Sequence, residues 1–141
     1  MREILFHGKR RDNGEWVEGD LSHHKSGKVF IKQLYGDARS SFEVDPETVG
    51  EFTGKGDADR NRIWEGDIAE YRFGDSSYAV VEFRDGQFSL NWLNNSALRN
   101  DFNFWCNERD IRVIGNIHDN KKEMRKIINQ GDIVEREDNE R

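Results

Sequence analysis

Asp57, Asp59 and Asn61 stand at alternate positions, the first residues in this sequence whose types could do chemistry together. Oxygen donors spaced this way in a loop can converge on a hard cation such as calcium. The match breaks at two places. Position six of such a loop calls for Gly to make the sharp turn and is Arg62, and position twelve calls for a bidentate Glu and is Ile68. A solvated turn accounts for the three polar residues, and no metal ligand is expected. The four histidines, His7, His23, His24 and His118, fall at no spacing that would close a zinc site. Cys106, the single cysteine, sits beside Trp105 and reads as a small buried hydrophobe rather than a nucleophile. Phosphate-cradling GxxxxGK[ST], dinucleotide-binding GxGxxG and nucleophile-elbow GxSxG patterns do not occur. With 35% of the chain charged, two neighbouring acids carry no catalytic information. The expectation is a non-enzymatic protein without catalytic, cofactor-binding or metal-ligating residues.

Charge bounds the partners. There are 22 basic and 28 acidic side chains, a formal net charge of −6. A sequence-independent grip on nucleic acid needs clustered positive charge, so the global balance disfavours it and leaves only two local patches. These are Lys9-Arg10-Arg11 and the group Lys121, Lys122, Arg125 and Lys126, which outnumbers Glu123. A charge run of this size usually forms a solvated face. No run of about 18 apolar residues exists to span a bilayer, and the N-terminus MREILFHGKR lacks the apolar stretch of a signal peptide. One cysteine makes no internal disulfide, which fits a reducing compartment. A cytoplasmic protein without membrane partners is expected, and the aromatic content leaves homo-oligomers open.

The elements that must position these residues read as strands. The chain has 141 residues, 34% apolar, with nine Phe, four Trp and three Tyr supplying much of a thin core. Residues 3–9 and 15–21 flank Asp12-Asn13-Gly14, a hairpin signal. Residues 29–35 and 41–44 follow as strands. Asp45 can then cap a short helical turn with Pro46 at its first position, after which Val49 and Phe52 return to the core. Residues 54–62 form a surface loop. Strands over 68–73, 78–83 and 88–92 are separated by turns at Gly74-Asp75-Ser76-Ser77 and Arg84-Asp85-Gly86-Gln87. Phe88, Leu90 and Trp92 share one face of the last of these, with Gln87, Ser89 and Asn91 on the other. Residues 93–107 read as an irregular loop anchored by Leu98, Phe102, Phe104 and Trp105. A strand over 111–117 follows, with a bulge signalled by Gly115. Asp119-Asn120 can cap a helix over 121–130, lined by Met124, Ile127 and Ile128 and ended by Gly131. Residues 132–141 are expected to be a flexible tail.

Gly-Asp occurs six times, where random placement of 13 Gly and 14 Asp gives about 1.3. Three of the pairs run into Leu21, Ile68 and Ile133. Gly relaxes the backbone and Asp accepts a nearby N–H, so the pair reads as a device that starts strands.

Several ordered stretches carry a resemblance to a known family. They are residues 2–9 (REILFHGK), 13–20 (NGEWVEGD), 44–54 (VDPETVGEFTG), 63–68 (IWEGDI), 80–83 (VVEF) and 114–120 (IGNIHDN). Together they resemble the YopX family of small proteins encoded by bacteriophages and prophages, over about residues 1–120. The resemblance implies a mainly β, antiparallel fold. Residues 1–53 would be an N-terminal β lobe, 54–62 a loop and 63–118 a small SH3-like barrel, followed by a helix over 119–131. It also implies a phage or prophage context in the bacterial host cell and leaves the activity open; the compact β domain without an assembled catalytic motif points to a non-enzymatic interaction module for an unidentified host or phage protein, with a nucleic-acid-binding barrel using Lys9-Arg10-Arg11 or the Lys121–Lys126 patch as the alternative. The resemblance supplies no residue role. Lys121-Lys122-Glu123-Met124 departs from the family's Pro-Glu-Leu-Leu-like ending.

Overall fold

The computed structural model describes residues 3–33, 40–73, 75–94, 99–102 and 111–139. It is mainly β and antiparallel, and the chain forms two compact units, Met1–Gly54 and Lys55–Arg141.

In the first unit, β1 (Phe6–Lys9) and β2 (Trp16–His23) form the hairpin expected around Asn13-Gly14; Arg10 N–H donates to Glu15 O and Gly14 N–H to Arg10 O, both at 2.9 Å. β3 (Val29–Lys32), β4 (Ser41–Val44) and β5 (Gly50–Gly56), which runs just past the end of this unit, extend it in the order β4–β3–β2–β1–β5, five strands of a six-stranded sheet. Alternation along these strands buries Val17, Val29, Ile31 and Val44, with Phe6, Leu21, Phe42 and Val49 packed around them. Between β4 and β5 the chain makes one 3-10 turn, Pro46–Thr48. Asp45 Oδ1 accepts the Glu47 N–H at 3.1 Å, and Pro46 stands where no N–H is needed.

In the second unit, β6 (Arg62–Trp64), β7 (Asp67–Phe73), β8 (Asp75–Arg84), β9 (Gln87–Trp92), β10 (Arg99–Asp101) and β11 (Ile111–Asn116) follow. Five of them form a sheet ordered β10–β9–β8–β7–β11. The β8–β9 hairpin turns on Asp85 and Gly86, with φ of 54° and 79°. Register shifts between Val113 and Gly115 on β11, the expected bulge, and Ile114 is left 45% exposed there. The core is Ile63, Ala69, Tyr71, Ala79, Val81, Phe88, Leu90, Phe102 and Ile111. Phe88 meets Phe102 edge-on at 6.3 Å, and Tyr71 meets Trp92 at 6.2 Å. These aromatics pack inward, as their alternation requires.

Two local expectations differ, and that of a barrel is met in part. Ser76 and Ser77 do not form a turn: they pair with Arg72 and Tyr71, because continuing the β7–β8 ladder satisfies their backbone groups. The expected barrel over 63–118 is seen only as this sheet: among the described residues no pairing joins β10 to β11 and closes it. The C-terminal helix, α1, runs Lys121–Asn139, past Gly131 and through the segment expected to be a tail. An interior Gly costs a helix about 1 kcal/mol relative to Ala, a preference too weak to end one by itself. Leu98, Phe104, Trp105 and Cys106 lie outside the described residues.

Candidate functional site

Asp57, the first residue of the cation-like pattern, is buried at 4% exposure. Its Oδ1 accepts the N–H groups of Asp59 (2.9 Å) and Asn61 (2.8 Å), and its Oδ2 accepts the Val113 N–H on β11 (2.9 Å). Ala58 N–H donates to Ile111 O at 2.9 Å, and Arg112 Nη1 reaches both carboxylate oxygens of Asp59, at 3.2 and 3.0 Å. The pattern therefore clamps the β5–β6 loop onto β11. Burial pushes the Asp57 carboxyl up, but the N–H groups of Val113, Asn61 and Asp59 and the Asn61 side chain outweigh it and hold it below its ordinary value.

Asp67 performs a second closure. Its Oδ2 accepts the Trp64 N–H at 2.8 Å, spanning Trp64-Glu65-Gly66-Asp67 between β6 and β7. Gly66, with φ of 93°, donates its N–H to Val81 O at 2.7 Å, and its carbonyl accepts the Ile117 N–H at 2.9 Å. An added Cβ at Gly66 would meet only ordinary contacts at 3.6 Å and beyond, so the positive φ is what selects glycine. Asp67 is 5% exposed, and its pKa is raised to about 7, first by burial and further by the Asp57 charge, against the lowering effect of the Trp64 N–H.

Gly-Asp starts a strand in this way at Gly66-Asp67 only among the described pairs. Gly19-Asp20 lies inside β2, Gly56-Asp57 closes β5, and Gly131-Asp132 lies inside α1. At Gly19 a Cβ would stand 1.9 Å from the Lys32 carbonyl oxygen, so close strand approach selects glycine there.

The basic and aromatic residues are engaged locally. Arg10 pairs with Asp12 and lies 4.0 Å over the Phe42 ring, and Arg11 pairs with Glu43 at 3.1 Å. His7 stacks on Trp16 and His24 on Phe30, each at 4.4 Å, while His118 N–H donates to Asn116 Oδ1. Lys121, Lys122, Arg125 and Lys126 are exposed on α1.

A different group of residues converges. Arg84, Asp85, Gln87, Ser89, Asn100 and Asp101 line a cleft of about 260 Å³ beside β10, the outermost strand of this sheet among the described residues. Ser89 pairs with Glu82 on one side and Asp101 on the other, is 6% exposed, and has no hydrogen-bond partner for its Oγ among the described residues. Asn100 is fixed by accepting the Trp92 Nε1–H at 2.6 Å. The cleft offers hydrogen-bond donors and acceptors of both charges. Sequence alternation placed Ser89 on the polar face of β9, but its burial depends on neighbours in space.

The fold is thus that of a mainly β protein of two antiparallel units ending in one helix. The YopX protein family model matches residues 5–125, and the chain belongs to that family. Two solved structures are similar. Protein EF1440 from Enterococcus faecalis has a TM-score of 0.54 and 22% identity, over 88% of this chain and 99% of that one. Protein yopX from Bacillus subtilis has a TM-score of 0.53 and 19% identity, over 88% and 97%. At such identity the likeness shows the fold. No curated protein matches the chain.

Proposed function

We propose that this chain is a non-enzymatic interaction module, an accessory protein of phage or prophage origin acting in the bacterial cytoplasm. In this reading the second unit serves as a small SH3-like platform that binds a host or phage protein at the edge of β10. One observation carries the reading: among the described residues, a hydroxyl more than nine-tenths buried, Ser89 Oγ, lines a polar cleft beside the last strand of the sheet and lacks a partner. A buried polar group left unpaired costs about 1–3 kcal/mol, so a partner that supplies the missing hydrogen bond is favoured there. The adjoining edge strand offers backbone groups to an extended segment, and the cleft offers side-chain selection.

The test is Ser89→Ala. Removing an unpaired buried hydroxyl leaves stability unchanged or raised, while partner capture by the tagged chain from phage-infected cells falls. Capture that is unaffected by this change overturns the reading. The nucleic-acid alternative has one supporting observation, the exposed Lys121, Lys122, Arg125 and Lys126. A salt titration with single- and double-stranded oligonucleotides separates the two: affinity that falls steeply with salt supports nucleic acid, and no binding at low salt removes it.

A further inference from the structure

Among the described residues β11 ends its sheet, at the opposite end from β10. An end strand turns the N–H and C=O groups of alternate residues away from its neighbour, and such a row is a template for another strand. On β11 two of these groups, the Ile111 carbonyl and the Val113 N–H, are taken from within the chain. Ala58 N–H donates to Ile111 O at 2.9 Å, and Asp57 Oδ2 accepts the Val113 N–H at 2.9 Å. One donor and one acceptor at this spacing are what a residue of a parallel neighbouring strand supplies, with a side-chain carboxylate here standing in for the carbonyl.

The loop that supplies them does not continue the sheet. Asp57 N–H donates to Asn61 O at 2.8 Å and Arg60 N–H to Asp57 O at 3.0 Å, with Arg60 at a φ of 65°, so the backbone doubles back over residues 57–61. Backbone groups spent inside the loop are not offered to a further strand. Arg112 on β11 holds the loop from outside through Asp59, at 3.2 and 3.0 Å. Beyond Val113 the bulge interrupts the row again, beside Ile114, which is 45% exposed.

We propose that the loop over residues 57–61 is an edge seal, which keeps β11 from pairing with β11 of a second copy of this chain. Two copies of one strand edge meet antiparallel about a two-fold axis, so an uncovered β11 carries its own partner, and the exposed Ile114 adds apolar contact to the pair. The two bonds to Ile111 and Val113 are the contacts that close this route in the folded chain.

Sedimentation velocity of the full chain tests this with two variants that each open one of the bonds. Asp57→Ala frees the Val113 N–H. Ala58→Pro removes the donor to Ile111 and leaves the Asp57 carboxylate with its N–H partners, so it keeps the fold should Asp57→Ala lose it. Each folded variant is expected to self-associate at least about tenfold more tightly than wild type. In Asp57→Ala the Val113 amide is expected to exchange fast in dilute protein and to become protected as concentration rises to about 100 μM. Phe102→Ala weakens the same unit but leaves both bonds in place, and is expected to associate no more than wild type. A variant that is folded by circular dichroism yet associates only as wild type does, association of Asp57→Ala without protection at Val113, or equal association of Phe102→Ala overturns the proposal. Ser89→Ala, which tests the cleft at the other end of the sheet, leaves all of these readings unchanged.

Discussion

Replacing Asp57 tests whether a sequence pattern shaped like a cation loop is a purely structural clamp. In Asp57→Ala three N–H groups lose their acceptor: those of Asp59, Asn61 and Val113. The two in the loop can turn to water at little net cost, about 0.5–1 kcal/mol each for a hydrogen bond exchanged with solvent. The Val113 N–H, in half-buried β11, bears the larger cost of a stranded donor, about 1–3 kcal/mol. The expected loss is about 2–5 kcal/mol. Asp57→Asn keeps one oxygen and turns an NH2 donor toward one remaining N–H, so its cost is expected to be smaller, about 1–2 kcal/mol. Urea unfolding followed by fluorescence reads both, since Trp64 and Trp92 belong to the same unit. Amide exchange should accelerate first at Val113. The clamp also fixes a pH dependence. The Asp57 carboxyl is held below its ordinary value of 3.8, so its contribution is present above about pH 4 and lost as pH falls through the lower folded value. Millimolar calcium should leave stability unchanged, because three N–H groups already occupy this carboxylate. An Asp57→Ala chain within about 0.5 kcal/mol of wild type, or a large calcium stabilisation removed by that change, would refute the reasoning.

Other perturbations follow from the same geometry. Asp67 has the opposite sign: its pKa is raised from 3.8 to about 7, so the folded state holds a proton that the unfolded state releases, and stability falls as pH rises between those values, by roughly 4 kcal/mol at most. Asp67→Asn keeps an oxygen for the Trp64 N–H and cannot ionise; unfolding free energies across pH 4–8 should show the fall in wild type and a flatter profile in the variant, and parallel profiles would count against a buried, protonated Asp67. Gly19→Ala drives a methyl into the Lys32 carbonyl and should cost about 1–3 kcal/mol or more in thermal unfolding, without changing the second unit's fluorescence. Phe102, fully buried in the second core, should cost about 3–5 kcal/mol as Phe102→Ala, read by the same urea titration.

Much of the fold was legible where a few adjacent residues decide the outcome. Asn13-Gly14 and Asp85-Gly86 make hairpin turns because their backbones adopt the required angles at low cost, and Asp45-Pro46 makes its 3-10 turn because cap and ring act within three residues. Gly115 likewise marked the bulge. The candidate site was not legible, since nothing local distinguishes Ser89 from any polar residue on an alternating strand. Its burial and lost partner arise only when β8 and β10 flank β9.

The amino-acid order by itself determined where strands begin and turn, that the protein is mainly β, and that its charge would sit on its surface. Tertiary structure alone decided what the acids do. Asp57 faces a loop that its neighbours form, but its second oxygen meets Val113, 56 positions away, and Asp67 becomes a buried acid only inside a packed unit. Periodicity and turn propensity act over a few residues, whereas hydrogen-bond partners and desolvation are set by whatever folding brings alongside.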